Sequence, residues 1–294
     1  MLQASPALTH LKLTGVVLGE ESSESYPVVS LPLLQSIYIA QSSAEACYLV
    51  LCHLTIPPCA RLSVEGWNIY GGDELTGLLV PICQHLRAPS ASPIRRLRFD
   101  YTTSNPNDGE RNFTISTSTA DEDRSLFSIT THPLSDTSLP HIITKVLEML
   151  ADLQPGITHL DCRSTSTAPQ LTTLKAWKTA ISLLPALDIV YIPPNVTAIR
   201  VLQALSQLAE TPAVGDASPC LREIRITGLS DKEGFNAMPL VLNGLRQLLS
   251  FLNARGTPLE RLEVSKKSTG LEVDEEGWKS LSQLVGTFVR SNDV

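Results

Sequence analysis

The sequence has no apolar run of the roughly 20 residues that a helix needs to cross a bilayer. It also lacks an excess of positive charge, because its 294 residues carry a net charge of −7. Proteins that bind nucleic acid need a cationic surface to displace the counterions of the phosphates. We therefore expect neither a membrane nor nucleic acid among the partners. No basic stretch followed by an apolar one opens the sequence, so no signal peptide is visible and an intracellular location, cytoplasmic or nuclear, is expected.

Aromatic residues are few, at 5% of the chain, and charged residues make up only 18%. Apolar residues reach 43%, so most of the chain can be buried and wholesale disorder is excluded. Without many large rings, the core must consist mainly of Leu, Ile, Val and Ala. Such a composition favours stacked, similar layers over an irregular core.

Motifs of known chemistry are also missing. The sequence contains no Gly-rich phosphate loop, no Gly-x-Ser-x-Gly turn and no His-Glu-x-x-His pair. Its six cysteines include no Cys-x-x-Cys pair, and the group Cys47, Cys52, His53 and Cys59 lacks the spacing of zinc ligands. We expect buried free thiols, two of them (Cys59 and Cys162) in strand core positions. We predict no catalytic residue, no cofactor and no metal.

One short pattern is present eight times: an apolar residue, two residues, an apolar residue, one residue and an apolar residue. The eight copies are Leu8-Leu11-Leu13, Leu34-Ile37-Ile39, Cys59-Leu62-Val64, Ile94-Leu97-Phe99, Ile157-Leu160-Cys162, Leu187-Val190-Ile192, Leu221-Ile224-Ile226 and Leu259-Leu262-Val264. This pattern is the strand half of a leucine-rich repeat, in which each copy adds one strand to a curved parallel sheet.

The segments between most copies have helical patterns. We predict helices over residues 42–54, with Ser42 and Glu45 as a capping box, and over 73–86 (kinked or ended early at Pro81), 140–153, 196–208, 239–254 and 275–290. In the fourth of these helices, the three-residue steps of Val196, Ile199, Leu202, Leu205 and Leu208 predict one apolar face. The predicted fold is α/β, a single irregular leucine-rich-repeat-like solenoid over residues 1–294 with its helices mostly on the convex side.

One gap between copies is much longer than the others, since Ile94 and Ile157 are 63 positions apart. Residues 112–117 and 126–131 read as strands rich in Thr, Ile and Phe, with an acidic turn at 121–123 between them. We therefore predict a β-hairpin inserted at about 104–135. Its acidic turn is a solvated loop or, alternatively, a contact for a basic partner.

The candidate binding surface follows from the alternation of side chains along a strand. In each copy, the residues on either side of the middle apolar position point away from the core, towards the concave face. The polar and aromatic residues at these positions are His10, Lys12, Ser36, Tyr38, Arg61, Ser63, Arg96, Arg98, His159, Asp161, Tyr191, Glu223, Arg225, Arg261 and Glu263. Their mixture of Tyr, Arg and acids is typical of protein-binding surfaces. The inserted hairpin is the alternative place for binding.

The stretch Leu49-Val50-Leu51-Cys52-His53-Leu54-Thr55-Ile56-Pro57-Pro58-Cys59-Ala60-Arg61-Leu62-Ser63-Val64 has a helix, an Ile-Pro-Pro corner and a strand. Leu31-Pro32-Leu33-Leu34 and Ser218-Pro219-Cys220-Leu221 precede strands in a similar way. These elements resemble the repeat region of fungal F-box-like proteins. The resemblance implies that the repeats hold the substrate of a ubiquitin ligase, while an amino-terminal F-box recruits the cullin adaptor. No F-box-like segment precedes the first repeat copy, so a cullin adaptor is expected only if an F-box lies upstream.

The expected function is therefore non-enzymatic binding of a protein ligand of unknown identity. The resemblance implies that the chain is the substrate-recognition repeat region of an F-box-type ubiquitin ligase receptor. Two alternatives stay open: an α/β enzyme with an unrecognised active site, and a stand-alone structural repeat protein.

Overall fold

The structure is a computed structural model. It describes residues 5–17, 26–67, 72–87, 93–103, 111–119, 125–131, 139–153, 156–164, 173–210, 220–227, 238–265 and 275–291. The chain forms two compact units, Met1–Arg95 with Thr103–Gln154, and Arg96–Thr102 with Pro155–Val294. The expectation of one domain stays a prediction, and each unit is described by itself.

The described residues form strands and helices that alternate along most of the chain. The strands are β1 (His10–Thr14), β2 (Val29–Ser30), β3 (Ser36–Ser43), β4 (Leu54–Thr55), β5 (Arg61–Trp67), β6 (Arg96–Thr103), β7 (Arg111–Ser118), β8 (Phe127–Thr131), β9 (His159–Ser164), β10 (Ile189–Ile192), β11 (Glu223–Ile226), β12 (Arg261–Ser265) and β13 (Thr287–Ser291). The helices are α1 (Ala44–Cys52), α2 (Gly72–Leu86), α3 (Leu139–Leu153), α4 (Leu174–Ser182), α5 (Val196–Glu210), α6 (Met238–Ala254) and α7 (Glu275–Ser282).

The first unit contains a sheet with the spatial order β1, β3, β5, β8, β7. Neighbouring strands are parallel, except that β7 and β8 form an antiparallel pair. The predicted hairpin is therefore confirmed, and its strand β8 lies beside β5 as a continuation of the sheet. Residues 104–110, 120–124 and 132–135 of the predicted insertion lie outside the described residues. Helix α1 packs on α2 and α2 packs on α3, while β2 and β4 form a small parallel pair.

The second unit has the spatial order β6, β9, β10, β11, β12, β13, and all these strands are parallel. Helices α4, α5 and α6 connect successive strands and pack side by side in the same order. The α/β class and the leucine-rich-repeat-like alternation of strand and helix are confirmed.

The middle and last apolar positions of all eight repeat copies lie in strands. With the exception of Leu13, these side chains are buried. In the second unit, Leu97, Leu160, Val190, Ile224 and Leu262 form one row across five strands. Each of these side chains is at most 1% exposed. Removal of such a side chain from water contributes roughly 1.5–3 kcal/mol, so this row is a major source of the stability of the unit.

Two predicted helix features differ in detail from the structure. Ser43, not Ser42, caps α1, because its hydroxyl accepts a hydrogen bond from the amide of Ala46. Ser42 is instead buried, where its hydroxyl donates to the carbonyl of Ala40. Helix α2 continues through Pro81 to Leu86, so the predicted early end is wrong, and the alternative of a kink at Pro81 stays a prediction. In a helix, proline lacks one backbone donor, and the buried apolar face of α2 maintains the helix beyond this point.

The prediction that one face of α5 carries five apolar residues is wrong. Leu202 and Leu205 are buried, whereas Val196 is 38% exposed and Ile199 and Leu208 are half-buried. Three-residue steps turn by about 300° in a helix with 3.6 residues per turn, so the series rotates steadily away from any single face. The buried face of α5 combines three- and four-residue steps instead, as in the positions of Ala198, Val201, Leu202, Leu205 and Ala209.

The last predicted helix, over residues 275–290, is shorter in the structure than the sequence pattern indicated. Helix α7 ends at Ser282, and residues 287–291 form β13, parallel to β12 with Phe288 opposite Leu262. This strand was missed because Arg290 occupies the place of the third apolar residue, opposite Val264. Helix α4 was not predicted either, although Thr173 caps it and Trp177, Ala180 and Ile181 form its buried face.

The six cysteines do not all behave as buried small hydrophobes. Cys47 and Cys162 are buried, but Cys52, Cys59 and Cys220 are exposed. Cys59 was expected in a core position, and the neighbouring Ala60 is buried there instead. Burial raises the pKa of the Cys47 thiol to about 11, so this thiol is protonated at neutral pH.

Candidate functional site

The predicted outward residues of the second unit lie in two rows across its sheet. The first outward row consists of Arg96, His159, Ile189, Glu223 and Arg261, which are consecutive partners in the strand register. The second outward row consists of Arg98, Asp161, Tyr191, Arg225 and Glu263. Neighbouring strands are about 4.8 Å apart, so side chains that are far apart in the sequence become direct neighbours.

Tyr191 lies at the centre of a cluster of arginines. The guanidinium carbons of Arg96, Arg163 and Arg225 are 5.4, 4.9 and 5.1 Å from the centre of its ring. The ring of His159 stacks on Tyr191 with a centroid distance of 6.4 Å and an angle of 18°. We call these five residues the Tyr191 cluster. Its geometry is that of cation–π contacts, which hold guanidinium groups over an aromatic ring.

Two residues predicted to line the binding face are themselves covered. Tyr191 is 5% exposed and Asp161 is 1% exposed, although both belong to the second outward row. Long neighbouring side chains cover them, and those neighbours form the accessible surface. Asp161 accepts two hydrogen bonds from the guanidinium of Arg163, at 2.9 and 2.6 Å, and one from its backbone amide. This bidentate geometry fixes the Arg163 head beside the ring of Tyr191.

A second ion-pair network extends the cluster across β11 and β12. The Nε atom of Arg225 is 2.7 Å from Glu223, and the Nε atom of Arg261 is 3.1 Å from the same carboxylate oxygen. Arg261 also contacts Glu263 at 2.9 Å. The hydrogen bond to Glu223 is the main cause of the raised pKa of Arg225. These alternating charges hold the arginine side chains in defined positions on the sheet.

His159 has a lowered pKa in this environment. Burial is the main cause, and the positive charges of Arg96 and Arg225 add to it, while Asp188 and Glu223 act in the opposite direction. The imidazole is therefore neutral at pH 7. Its Nδ1 atom lies 2.7 Å from the hydroxyl of Thr158.

The outward residues of the first unit are less charged. The rings and hydroxyls of neighbouring strands contact one another: the Nδ1 atom of His10 is 2.8 Å from the hydroxyl of Ser36, and Lys12 lies over the ring of Tyr38 at 5.4 Å. The hydroxyl of Tyr38 donates to Glu65 at 2.5 Å. This hydrogen bond raises the pKa of Tyr38 to about 12.

The hairpin continues these rows instead of forming a separate surface. In the register, Ser128 of β8 lies opposite Ser63 of β5, and its hydroxyl donates to Ser63 at 2.8 Å. Thr130 lies opposite Glu65 and contacts Thr114 of β7 at 2.8 Å. The two alternatives of the sequence analysis, the sheet face and the hairpin, are thus parts of one face in the first unit.

Several residues outside the predicted set also contribute to this face. Arg163 and Glu65 each lie one position beyond the last apolar residue of a repeat copy, Cys162 and Val64 respectively. Extension of the same strand alternation by one step would have found both. Arg61 of the predicted set is exposed on β5.

The contacts around Tyr191 combine side chains from β6, β9 and β11. Because these strands are far apart in the sequence, no local sequence pattern could have predicted the cluster.

Among the residues that the structure describes, no group of three or more His, Cys, Asp or Glu side chains could hold a metal ion. Within the same residues, none of the helices has the length and apolar character that crossing a bilayer demands.

No family model matches the chain, and no curated protein matches it. Among solved structures, the chain is similar to the leucine-rich repeat-containing protein LegL7 from Legionella pneumophila, with 12% sequence identity and a TM-score of 0.37. The match covers 96% of this chain and 89% of LegL7.

Proposed function

We propose that the chain is a non-enzymatic protein-binding scaffold and that its ligand binds to the outward rows of the sheets. The observation that carries this proposal is the difference between the two faces in the second unit. The inward row is completely buried, whereas Arg98 and Arg261 are exposed and Arg96, Glu223 and Arg225 are half-buried on the other face. Arginine and tyrosine are among the residue types that most often dominate the binding energy at interfaces. On this face, the arginine side chains are held in place by ion pairs and by a tyrosine.

Charge reversal of three outward arginines tests this proposal. We expect that the triple variant Arg96→Glu, Arg98→Glu and Arg225→Glu keeps its fold but no longer captures the partner that the wild-type chain captures from its source extract. The matched control is the triple variant Lys175→Glu, Arg200→Glu and Lys279→Glu, which makes the same change in net charge on helices α4, α5 and α7. Capture should persist in this control.

The measurement is quantitative mass spectrometry of the captured proteins, together with a thermal melting curve of each variant. Equal capture by the folded arginine variant and the wild type would place the ligand surface elsewhere. A chain from which no protein is captured above background would favour the alternative of a stand-alone structural repeat protein.

The finer role is substrate recognition in an F-box-type ubiquitin ligase. It is supported only by the resemblance of residues 49–64 to the repeat region of fungal F-box-like proteins. An in-frame F-box encoded upstream in the full-length message would support this role. A message that starts at Met1 would argue against it.

A further inference from the structure

In the ion pairs of the second unit, the carboxylate is more deeply buried than the arginine that it binds. The side chain of Asp161 is 1% exposed, but that of its partner Arg163 is 38% exposed. Glu223 is 12% exposed and Arg225 is 32% exposed. Arg261 is exposed to 44% beside the same Glu223. The carboxylates therefore lie beneath the arginines, and an approaching molecule meets guanidinium groups first.

The Tyr191 cluster brings these groups close together. Three guanidinium carbons lie between 4.9 and 5.4 Å from one ring centre, on side chains from β6, β9 and β11. In an extended peptide, side chains two residues apart on one face are separated by about 7 Å. Because all three guanidinium carbons lie within 5.4 Å of one ring centre, any two of them are at most about 11 Å apart. Acidic side chains at alternate positions of an extended segment are close enough together to reach two of these groups at once.

The arginines are also held in place before any ligand binds. Arg163 is fixed by two hydrogen bonds to Asp161, and Arg225 by its hydrogen bond to Glu223. Both guanidinium groups also lie within cation–π distance of the ring of Tyr191. Side chains that are already ordered lose less conformational entropy on binding. A planar guanidinium group can still donate further hydrogen bonds from its remaining N–H groups to a carboxylate.

We infer that the Tyr191 cluster binds an extended acidic segment of a partner protein, whose Asp or Glu carboxylates contact the exposed guanidinium groups. This inference rests on the proposed function and specifies the partner class. The accessible charges of the cluster are guanidinium groups, because the carboxylates of Asp161 and Glu223 are only 1% and 12% exposed. The net charge of −7 of the whole chain repels a long polyanion more strongly than a short acidic segment. A short acidic peptide segment therefore fits this surface better than a nucleic acid.

Binding of defined probes tests the inference. The probes are fluorescein-labelled 12-residue peptides in which Ser alternates with Glu, Gln or Lys, and a single-stranded DNA of 12 nucleotides. With the full wild-type chain, fluorescence anisotropy should detect the Glu peptide, with an affinity that falls as salt rises. The Gln and Lys peptides and the DNA should bind at least tenfold more weakly.

The double variant Arg96→Gln and Arg225→Gln should weaken Glu-peptide binding at least tenfold while its melting curve shows a folded chain. Arg163 is retained in this variant, because its removal would leave Asp161 buried without its counter-charge. The matched control is Lys175→Gln with Lys178→Gln on α4, which removes the same charge and should bind as the wild type does.

Equal binding of the Glu peptide to the arginine variant and the wild type would overturn the inference, and so would equal binding of the Lys peptide. DNA binding as tight as that of the Glu peptide would also overturn it in favour of a general polyanion site. If the Glu peptide does not bind, but partner capture still depends on Arg96, Arg98 and Arg225, the acidic-segment inference fails and the proposed function stands. If the Glu peptide does not bind and partner capture does not depend on these arginines, both the acidic-segment inference and the proposed function fail.

Discussion

His159 is the residue that most directly reports the electrostatics of the Tyr191 cluster. Its lowered pKa has burial as the main cause and the nearby charges of Arg96 and Arg225 as further causes. In the unfolded chain, its pKa returns to about 6.5. The unfolded state therefore takes up a proton at a higher pH than the folded state does. By linkage, the stabilising contribution of the neutral ring is complete above about pH 6.5 and is lost as the pH falls through the folded-state pKa.

We therefore predict that acidification from about pH 7.5 to about pH 5 lowers the free energy of unfolding less in His159→Gln than in the wild type. The measurement is urea denaturation at each pH. His85, whose pKa burial also lowers, remains in the variant, so the pH dependence is reduced and not abolished. An Arg96→Gln variant supplies the control, because loss of this charge should raise the pKa of His159 in an NMR titration. An identical acid loss in His159→Gln and the wild type would contradict the prediction.

The direction of the side chains in the Tyr191 cluster was predictable from the sequence, but their burial was not. Strand alternation predicted that Tyr191 and Arg225 point to one side, and the register agrees. It could not predict that Tyr191 is covered, because this depends on arginine side chains that reach across from other strands. Arg163 lies one position beyond the apolar pattern, in the strand that also carries Asp161, so strand alternation extended by one step would have predicted it. Side-chain reach across a sheet is a property of the assembled strands, not of any single repeat copy.

Among the elements, strands were predictable where all three apolar positions of the repeat copy were present. The apolar pattern that leads into β13 has Val285 and Phe288 at the first two positions but Arg290 at the third, so this segment resembled the end of a helix. Apart from the end of α7, the boundaries of the predicted helices were accurate to a few residues, because Pro and Gly mark them locally. Gly256 ends α6 with a φ of +73°, a left-handed conformation that glycine adopts without strain.

The cap of α1 gives a test at this scale. Ser43→Ala removes the acceptor for the amide of Ala46 and should cost about 0.5–2 kcal/mol in the local stability of the helix. The measurement is amide hydrogen exchange of Ala46 and its neighbours in the first turn, which should become faster. Ser43→Asp is the matched control, since aspartate is an equally good cap and should restore slow exchange. Unchanged exchange in Ser43→Ala would show that the hydroxyl of Ser43 contributes nothing to the helix.

Each unit of the molecule combines a sheet face buried under helices with an outward face of polar side chains. In the second unit, strands and helices alternate so regularly that each strand contacts mainly its two neighbours in the sheet. Repeat structures of this kind derive their stability from such nearest-neighbour contacts, and damage to one layer weakens the adjacent layers. This arrangement was predictable from the sequence for every strand of the unit except β13, because the same apolar pattern identifies each of the other layers.

Ile224→Asp tests this property of the second unit. The side chain of Ile224 is completely buried between Val190 and Leu262, so a carboxylate there should destabilise the unit by more than about 4 kcal/mol. We predict that amide protection is lost together in β10, β11 and β12, as measured by hydrogen exchange. The matched control is Ile189→Asp, the same substitution at a half-buried outward position of β10, which should leave most protection intact. Loss confined to β11 would contradict the prediction, because nearest-neighbour stabilisation requires that a layer and its neighbours weaken together.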